Sequence, residues 1–286
     1  MMPMSCSYYA PQQLEELLAI LAEKKEKAKV LAGGTDLVIA LQEGNLDYDY
    51  IVALHKIPEL KGISMSGDTI VIGAMTTHTE VERSPIINAN ALLLAQAAAS
   101  VGSPQIRNAG TIGGNICNAS PAADTIPALI ALDASVKIVS KGSERKMPLE
   151  DLFLGMGKTK LSCDEVIKEI SFKALPDGAG SIFIKLARRN ALAISRISVA
   201  AIVASNEYVT DCRIAMGAVA PNPFRLRGAE QAWLGRTVTA DNLDICVEAA
   251  FQEISATLGQ RASAIYKKRA GKALIRRALS IASGQM

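Results

Sequence analysis

Residues 110–134 read GTIGGNICNASPAADTIPALIALDA, with three glycines, two asparagines and several small residues directly ahead of an apolar, helix-like run. A loop that only connects two elements rarely needs so many residues without bulk. A loop against which a non-protein group lies does. Gly110, Gly113 and Gly114 remove side chains here, while Thr111, Asn115, Asn118 and Ser120 supply short hydrogen-bonding groups. Arg107 is the one cation between Ser103 and Asp124, so a phosphate bound here would rest on main-chain amides and hydroxyls. Asp124 would repel phosphate, which leaves it sugar hydroxyls as partners or a role as N-cap of the following helix.

Upstream, VLAGGTDL (30–37) passes from an apolar strand through a glycine turn into a helix. Glycines at such a turn let successive N–H groups converge on an anion. The spacing is not G-x-G-x-x-G, and the Lys-Ser/Thr ending of a P-loop is missing. A tight strand–helix turn explains this loop alone as well as an anion nest does. Together the two loops point to a dinucleotide spread over two sites, its pyrophosphate on main chain, with the nucleotide left open.

The rest of the chain frames these loops. Leu14, Leu17, Leu18 and Leu21 recur at helical spacing within QQLEELLAILAEKKEKA. LVIALQEG reads as a helix ending at Gly44, and IVALHKI (51–57) and TIVIGAM (69–75) read as strands. A single alanine-rich helix is predicted over 88–101, and a strand over 136–140. KGSERKMPLEDLF (141–153) reads as a turn followed by a short helix. The Pro/Gly/Asp content of residues 170–181 marks a boundary near 176, giving a domain 1–175 and a domain 176–286. IFIKLA, SRISVAAIVASN and VTDCRIAMGAVAP then read as successive strands of an antiparallel sheet, followed by helices over 239–256 and 262–282. Strands followed by helices imply an α+β layer rather than a repeated βαβ array.

Charge and cysteine usage exclude several functions. The net charge is only +3, and no Lys/Arg block resembles a nucleic-acid footprint. No run reaches the ~18 apolar residues of a spanning helix, and the N-terminus has no signal-peptide pattern. The five cysteines are scattered without a C-x-x-C pair, which argues against a disulfide framework, a zinc site or an iron–sulfur cluster bound by this chain alone. A reducing cytoplasm is the natural setting. The two histidines, His55 and His78, lie outside the glycine loops and read as satisfied structural residues.

LAGGTDL, IGAMTTHTEVE, GSPQIRNAGTIGGNICNASPAAD and IKLARRNALAIS, in this order, resemble the FAD-binding subunit of molybdenum hydroxylases. Xanthine, nicotinate and carbon monoxide dehydrogenases belong to that family. The resemblance implies an FAD-binding domain of the PCMH type, built of two α+β subdomains. A C-terminal domain with a three-stranded antiparallel sheet and helices would follow. It also implies an electron-transfer role: electrons arrive from 2Fe-2S clusters on a partner subunit, which drain a molybdopterin site on a third, and leave to NAD+ or another acceptor.

The same resemblance assigns residues. Val30, Leu31, Ala32, Gly33, Gly34, Thr35, Asp36 and Leu37 would wrap the pyrophosphate and ribityl region of FAD. Thr111, Ile112, Gly113, Gly114 and Asn115 would form the opposing clamp, with Gly102 in the same cofactor-binding set. Asp124 would bind a hydroxyl or amide of the cofactor, Leu161 would pack on the adenine side, and Lys185 would reach the flavin ring or its polar edge. Cys117 would lie against the isoalloxazine face without redox chemistry. Neither histidine is placed for covalent attachment, so the FAD is expected to be non-covalent. Small residues such as Ala191 and Ala193 would leave room for a hydride acceptor. The loop ARRNALAIS lacks the acidic residues that often stand near the flavin in the family, which leaves the potential and the acceptor open. Two alternatives remain beside this reading: a self-sufficient flavin oxidase or reductase, which would need a base near its own substrate, and a non-catalytic nucleotide-binding module.

Overall fold

The computed structural model describes residues 6–44, 48–189, 192–260 and 262–285. The chain begins with β1 (Ser7–Tyr9), α1 (Leu14–Lys24), β2 (Ala28–Leu31), α2 (Leu37–Gln42) and β3 (Tyr50–Ala53). The strands form a parallel sheet in the order β1-β3-β2. The leucine stripe of α1 works as its spacing implies, since Leu14, Leu17 and Leu21 are buried in a small core with Val52, Leu54 and Ile57. The strand expected over 51–57 ends at Ala53. There the Leu54 amide donates to the Leu31 carbonyl, and the chain turns away.

Next come β4 (Ile63–Ser66), β5 (Thr69–Gly73), and helices α3 (His78–Arg83), α4 (Pro85–Asn90), α5 (Leu92–Ala99), α6 (Pro104–Ala109), α7 (Ile112–Asn118) and α8 (Thr125–Ala131). They are followed by β6 (Ser135–Ser140), β7 (Ser143–Pro148), β8 (Phe153–Gly155), β9 (Lys158–Thr159) and β10 (Val166–Lys173). Five of these strands form an antiparallel sheet ordered β4-β5-β10-β6-β7, while β8 and β9 make a small hairpin. Ile70, Ile72, Val136, Ile138, Ile170 and Phe172 alternate onto one face of the sheet and bury against the helices.

Two local expectations are corrected here. The helix expected over 88–101 is two helices, because Ala91 takes φ −157°, ψ 53° and breaks the run. KGSERKMPLEDLF is not a turn and a helix: residues 143–148 form β7, a largely exposed edge strand, and only Glu150–Leu152 make a 3-10 turn. Its polar side chains conceal a strand whose role is to close a sheet edge.

The C-terminal part holds β11 (Gly180–Leu186), β12 (Ile197–Ser205), β13 (Val209–Gly217), β14 (Phe224–Arg225), α9 (Arg227–Trp233), α10 (Ala240–Leu258) and α11 (Ala264–Ala282). The sheet is antiparallel as read, but it has four strands rather than three, since two residues of β14 pair with β13. β12 is buried on both faces, which is why its sequence reads as a continuous apolar run. Ala200 and Ile202 face the helices of the preceding unit, while Val199, Ala201 and Val203 face α9, α10 and α11. Every residue of α8 is buried, wedged against β12 and β13. Its first turn therefore carries Asp124 into the seam between the two parts of the chain.

Candidate functional site

The two glycine loops meet in space. A Cβ on Gly33 would lie 1.9 Å from the Ala109 carbonyl oxygen, and one on Gly114 would lie 3.4 Å from the Ala32 Cβ. Asn118 Nδ2 donates to Asp36 Oδ1 at 3.0 Å, tying the end of α7 to the first loop. Gly113 packs against Ala74, where an added Cβ would meet the Ala74 carbonyl oxygen at 2.7 Å. The glycines of both loops thus let backbone lie on backbone; Gly34 alone among the paired glycines needs a positive φ, 74°.

The hydrogen-bond inventory divides the loops sharply. In the second loop the N–H of Ile112 donates to the Thr76 carbonyl at 2.9 Å and that of Gly113 to the Ala74 carbonyl at 2.9 Å. Gly114 N–H donates to Thr111 Oγ1 at 3.1 Å, and Asn115 N–H to the Thr111 carbonyl at 2.9 Å. Four of the five amides of the expected clamp are therefore already satisfied by protein, while the Thr111 N–H donates to no protein group among the described residues, and the Thr111 hydroxyl serves as the N-cap of α7. In the first loop the reverse holds: the N–H groups of Ala32, Gly33, Gly34, Thr35 and Asp36 donate to no protein group among the described residues. Five consecutive unpartnered amides leave this loop free to receive an anion's hydrogen bonds.

Asp124 holds the N-cap position of α8 but makes no side-chain capping bond. Instead its Oδ2 accepts from Lys185 Nζ at 2.6 Å and its Oδ1 accepts from Ser195 Oγ at 2.5 Å. Lys185, on β11, also donates to the Ser100 carbonyl at 3.0 Å. Neither side chain is solvent-facing, at 14% and 6% exposure for Lys185 and Asp124. Burial pushes the Asp124 carboxyl above the usual carboxylate range, and the Lys185 charge and hydrogen bond offset part of that shift. Sequence reasoning named Asp124 and Lys185 separately; their pairing, and Ser195 as a third member, come from the fold.

Beside this pair lies a cavity of about 350 Å³ lined by Ser100, Gly102, Arg107, Lys185, Arg189, Leu192 and Ala193 among others. Gly102 has φ 45° and leaves no room for a side chain against Ile106. Arg107 is not free to neutralise phosphate, since it bonds Glu82 Oε2 at 2.9 Å and the Val101 carbonyl at 3.2 Å. Helix α6 joins the two features: Gly102 and Arg107 face the cavity, and Ala109 and Gly110 meet the first loop. Six helical residues span about 9 Å.

The remaining expected residues scatter around this axis. Cys117 is exposed in area, while desolvation pushes its thiol up to about 11. Leu161 is half-buried and packs on the larger core just beyond β9, which lies against α7. Val30 and Leu31 belong to β2, and Leu37 begins α2. Ala191 lies outside the described residues. His78 is buried, but its Nδ1 has no hydrogen-bond partner, so the satisfied role expected for it is not what the structure holds.

A strand–glycine loop–helix with unpartnered amides, and a buried Asp–Lys pair beside a cavity, mark a candidate ligand-binding site. Comparisons with known proteins sharpen that class. Residues 4–173 match the family described as FAD binding domain in molybdopterin dehydrogenase, and residues 182–282 match the CO dehydrogenase flavoprotein C-terminal domain. The chain is 33% identical to the xanthine dehydrogenase FAD-binding subunit of Escherichia coli O157:H7, over 98% of each chain. It is 34% identical to the nicotinate dehydrogenase FAD-subunit of Eubacterium barkeri, over 91% of this chain and 90% of that one. In structure it is similar to carbon monoxide dehydrogenase from Hydrogenophaga pseudoflava, solved in a form lacking the Mo-pyranopterin moiety of the molybdenum cofactor. The TM-score is 0.92 at 34% identity, with 99% of both chains covered. The chain belongs to the family of FAD-binding subunits of molybdenum-dependent dehydrogenases.

Proposed function

We propose that this chain is the FAD-carrying electron-transfer subunit of a molybdenum hydroxylase. It holds its cofactor non-covalently across the seam between the two glycine loops. The observation that carries this reading is the run of unpartnered amides at residues 32–36, opposite a second loop in which the amides of residues 112–115 are satisfied. The first loop holds the pyrophosphate, while Thr111 and Asn115 contribute side chains rather than amides. The flavin end would lie toward the cavity that Gly102 and Arg107 line, at the other end of α6 from the first loop. Lys185, fixed by Asp124 and Ser100, stands at the polar edge of the ring. Cys117 contacts the ring and Leu161 the adenine, each without chemistry of its own. The domain division near residue 176 separates the pyrophosphate-holding part from the part that brings Lys185 and the 187–196 loop.

Bound FAD supplies the ability to take electrons singly and to deliver them in pairs as hydride. The protein's own share is to place and tune. Of the three cations at the cavity, Arg107 is paired with Glu82 and Lys185 with Asp124, while Arg189, held by the Leu192 carbonyl, favours negative charge on whatever lies there. Electrons enter from 2Fe-2S clusters of an iron–sulfur subunit that serves a molybdopterin subunit, and leave to NAD+ or another acceptor, in the cytoplasm. The hydroxylated substrate is chosen on the molybdopterin subunit. A self-sufficient oxidase is disfavoured because no carboxylate or imidazole lines the cavity among the described residues.

The test is the visible spectrum of the purified chain, before and after acid precipitation, and then reduction of the assembled complex in the presence of acceptors. A yellow protein that releases free FAD into the acid supernatant supports the reading. A colourless chain that takes up no added FAD refutes it. Complexes that reduce dyes or quinones but never NAD+ remove the hydride step alone.

A further inference from the structure

His78 opens α3, just after the Thr77–Glu80 capping box, and its amide donates to the Gly110 carbonyl at 3.0 Å. That bond fixes the ring beside the junction of the two glycine loops. The residue is 2% exposed, and its Nδ1 is fully buried without a partner. Among the described residues Nε2 makes no hydrogen bond to protein either, and unlike Nδ1 it is not a fully buried atom without a partner. The ring's Cδ2, bonded to Nε2, lies 3.2 Å from the point a Cβ on Gly110 would occupy. Thr35 Oγ1 lies 3.5 Å from that same point. The Cδ2 corner of the ring, to which Nε2 is bonded, therefore stands at Gly110, where Thr35 of the first loop also approaches.

The tautomer follows from the same facts. A neutral imidazole has one N–H and one bare nitrogen. Orphaned buried N–H groups are rarer than under-satisfied acceptors, so the sealed Nδ1 is the bare one and Nε2 carries the proton. Burial, with the nearby Arg107 charge, pushes the ring's pKa down to about 4, so it is neutral under ordinary conditions. A neutral donor held at the seam lacks only an acceptor.

We propose that His78 is a cofactor-binding residue whose Nε2–H donates to a phosphate oxygen of the dinucleotide where the two glycine loops meet. The inference rests on the FAD reading above and deepens it by adding a side-chain donor to a cradle otherwise made of main chain.

The experiment is FAD titration of the full-length apo-chain, followed by flavin fluorescence, for wild type, His78→Gln and His78→Asn. Glutamine can place an N–H where Nε2–H sits, whereas asparagine reaches only the Nδ1 position. His78→Gln is expected to bind FAD within about 3-fold of wild type, and His78→Asn about 10- to 100-fold more weakly. Because His78→Asn could perturb folding, 15N-histidine NMR of wild type supplies a second readout. With only two histidines in the chain, assignment needs one further variant at His55. His78 is expected to show a protonated Nε2 whose signal moves on adding FAD or inorganic pyrophosphate. Equal FAD affinity in the two variants, an Nδ1–H tautomer, or an Nε2 signal unmoved by saturating FAD would each overturn the proposal. Failure of the wild-type chain to bind FAD at all would instead remove the functional reading beneath it.

Discussion

Replacing Gly33 with alanine separates two accounts of the glycine loops. If the glycines only make room for a cofactor, the ligand-free protein is indifferent to a methyl group there. The structure says otherwise at Gly33: the new Cβ would stand 1.9 Å from the Ala109 carbonyl oxygen and 2.7 Å from its carbon. Reaching even 3.0 Å requires the first loop to move by 3.0 − 1.9 = 1.1 Å, and no rotamer relieves a clash with backbone. Such overpacking costs about 1–3 kcal/mol, here toward the upper end. The lower unfolded-state entropy of alanine returns about 0.4–1 kcal/mol, leaving a net loss of about 2 kcal/mol. Gly114→Ala is the control. Its Cβ would meet the Thr111 hydroxyl at 2.9 Å and the Ala32 Cβ at 3.4 Å; displacing that N-cap costs about 1 kcal/mol, which the gain of up to about 1 kcal/mol for alanine over glycine inside a helix offsets. Urea unfolding of the ligand-free variants should place Gly33→Ala about 2 kcal/mol below Gly114→Ala. Equal ligand-free stabilities, with only FAD affinity reduced in both, would refute the loop-on-loop account.

Other outcomes follow from the same site. His78 binds a proton more weakly folded, at a pKa of about 4, than unfolded at about 6.5, so stability falls as pH drops through that window. The loss approaches about 3 kcal/mol by pH 4, and His78→Gln should remove that slope from a pH series of urea midpoints. Lys185→Met strands the buried Asp124 carboxylate and should cost about 3–5 kcal/mol, much of it recovered by adding Asp124→Asn; no recovery would mean the pair is not coupled. Glu230→Ala removes the buried carboxylate that holds Arg225 Nε and Nη2 at 2.7 and 2.8 Å and accepts from the Ile214 amide at 2.8 Å, leaving Arg225 only the more exposed Asp133 as an ion-pair partner among the described residues. A loss of about 3–5 kcal/mol is expected in thermal or urea unfolding, and a loss under about 1 kcal/mol would show the pair to be dispensable.

The sequence carried the elements whose burial pattern is local. The leucine stripe of α1 and the two-sided apolar run of β12 are visible because each residue's environment follows from its own periodicity. β10 escaped because one of its partners is remote, as it is inserted between β5 and β6; β7 escaped because, though it pairs with β6 in a tight hairpin, it is a polar edge strand. The break at Ala91 has no breaker residue to announce it, only a backbone turn imposed by the packing of α4 and α5. At the site, the composition of the glycine loops was legible, but their division of labour was not. Which amides are free depends on whether Thr76, Ala74 and Thr111 accept from them, and those acceptors are set by tertiary contact. Likewise the Asp124–Lys185–Ser195 cluster joins residues from α8, β11 and the start of β12, which no spacing rule connects.

The central claim is that the amides of residues 32–36 hold the pyrophosphate of FAD while the flavin lies along α6 toward Lys185. A crystal structure of the FAD-loaded chain tests it most directly. The account requires phosphate oxygens within hydrogen-bonding distance, about 2.7–3.2 Å, of several of these five N–H groups, and the ring beside Lys185 and Gly102. FAD bound with its pyrophosphate elsewhere and residues 32–36 still unpartnered would contradict it.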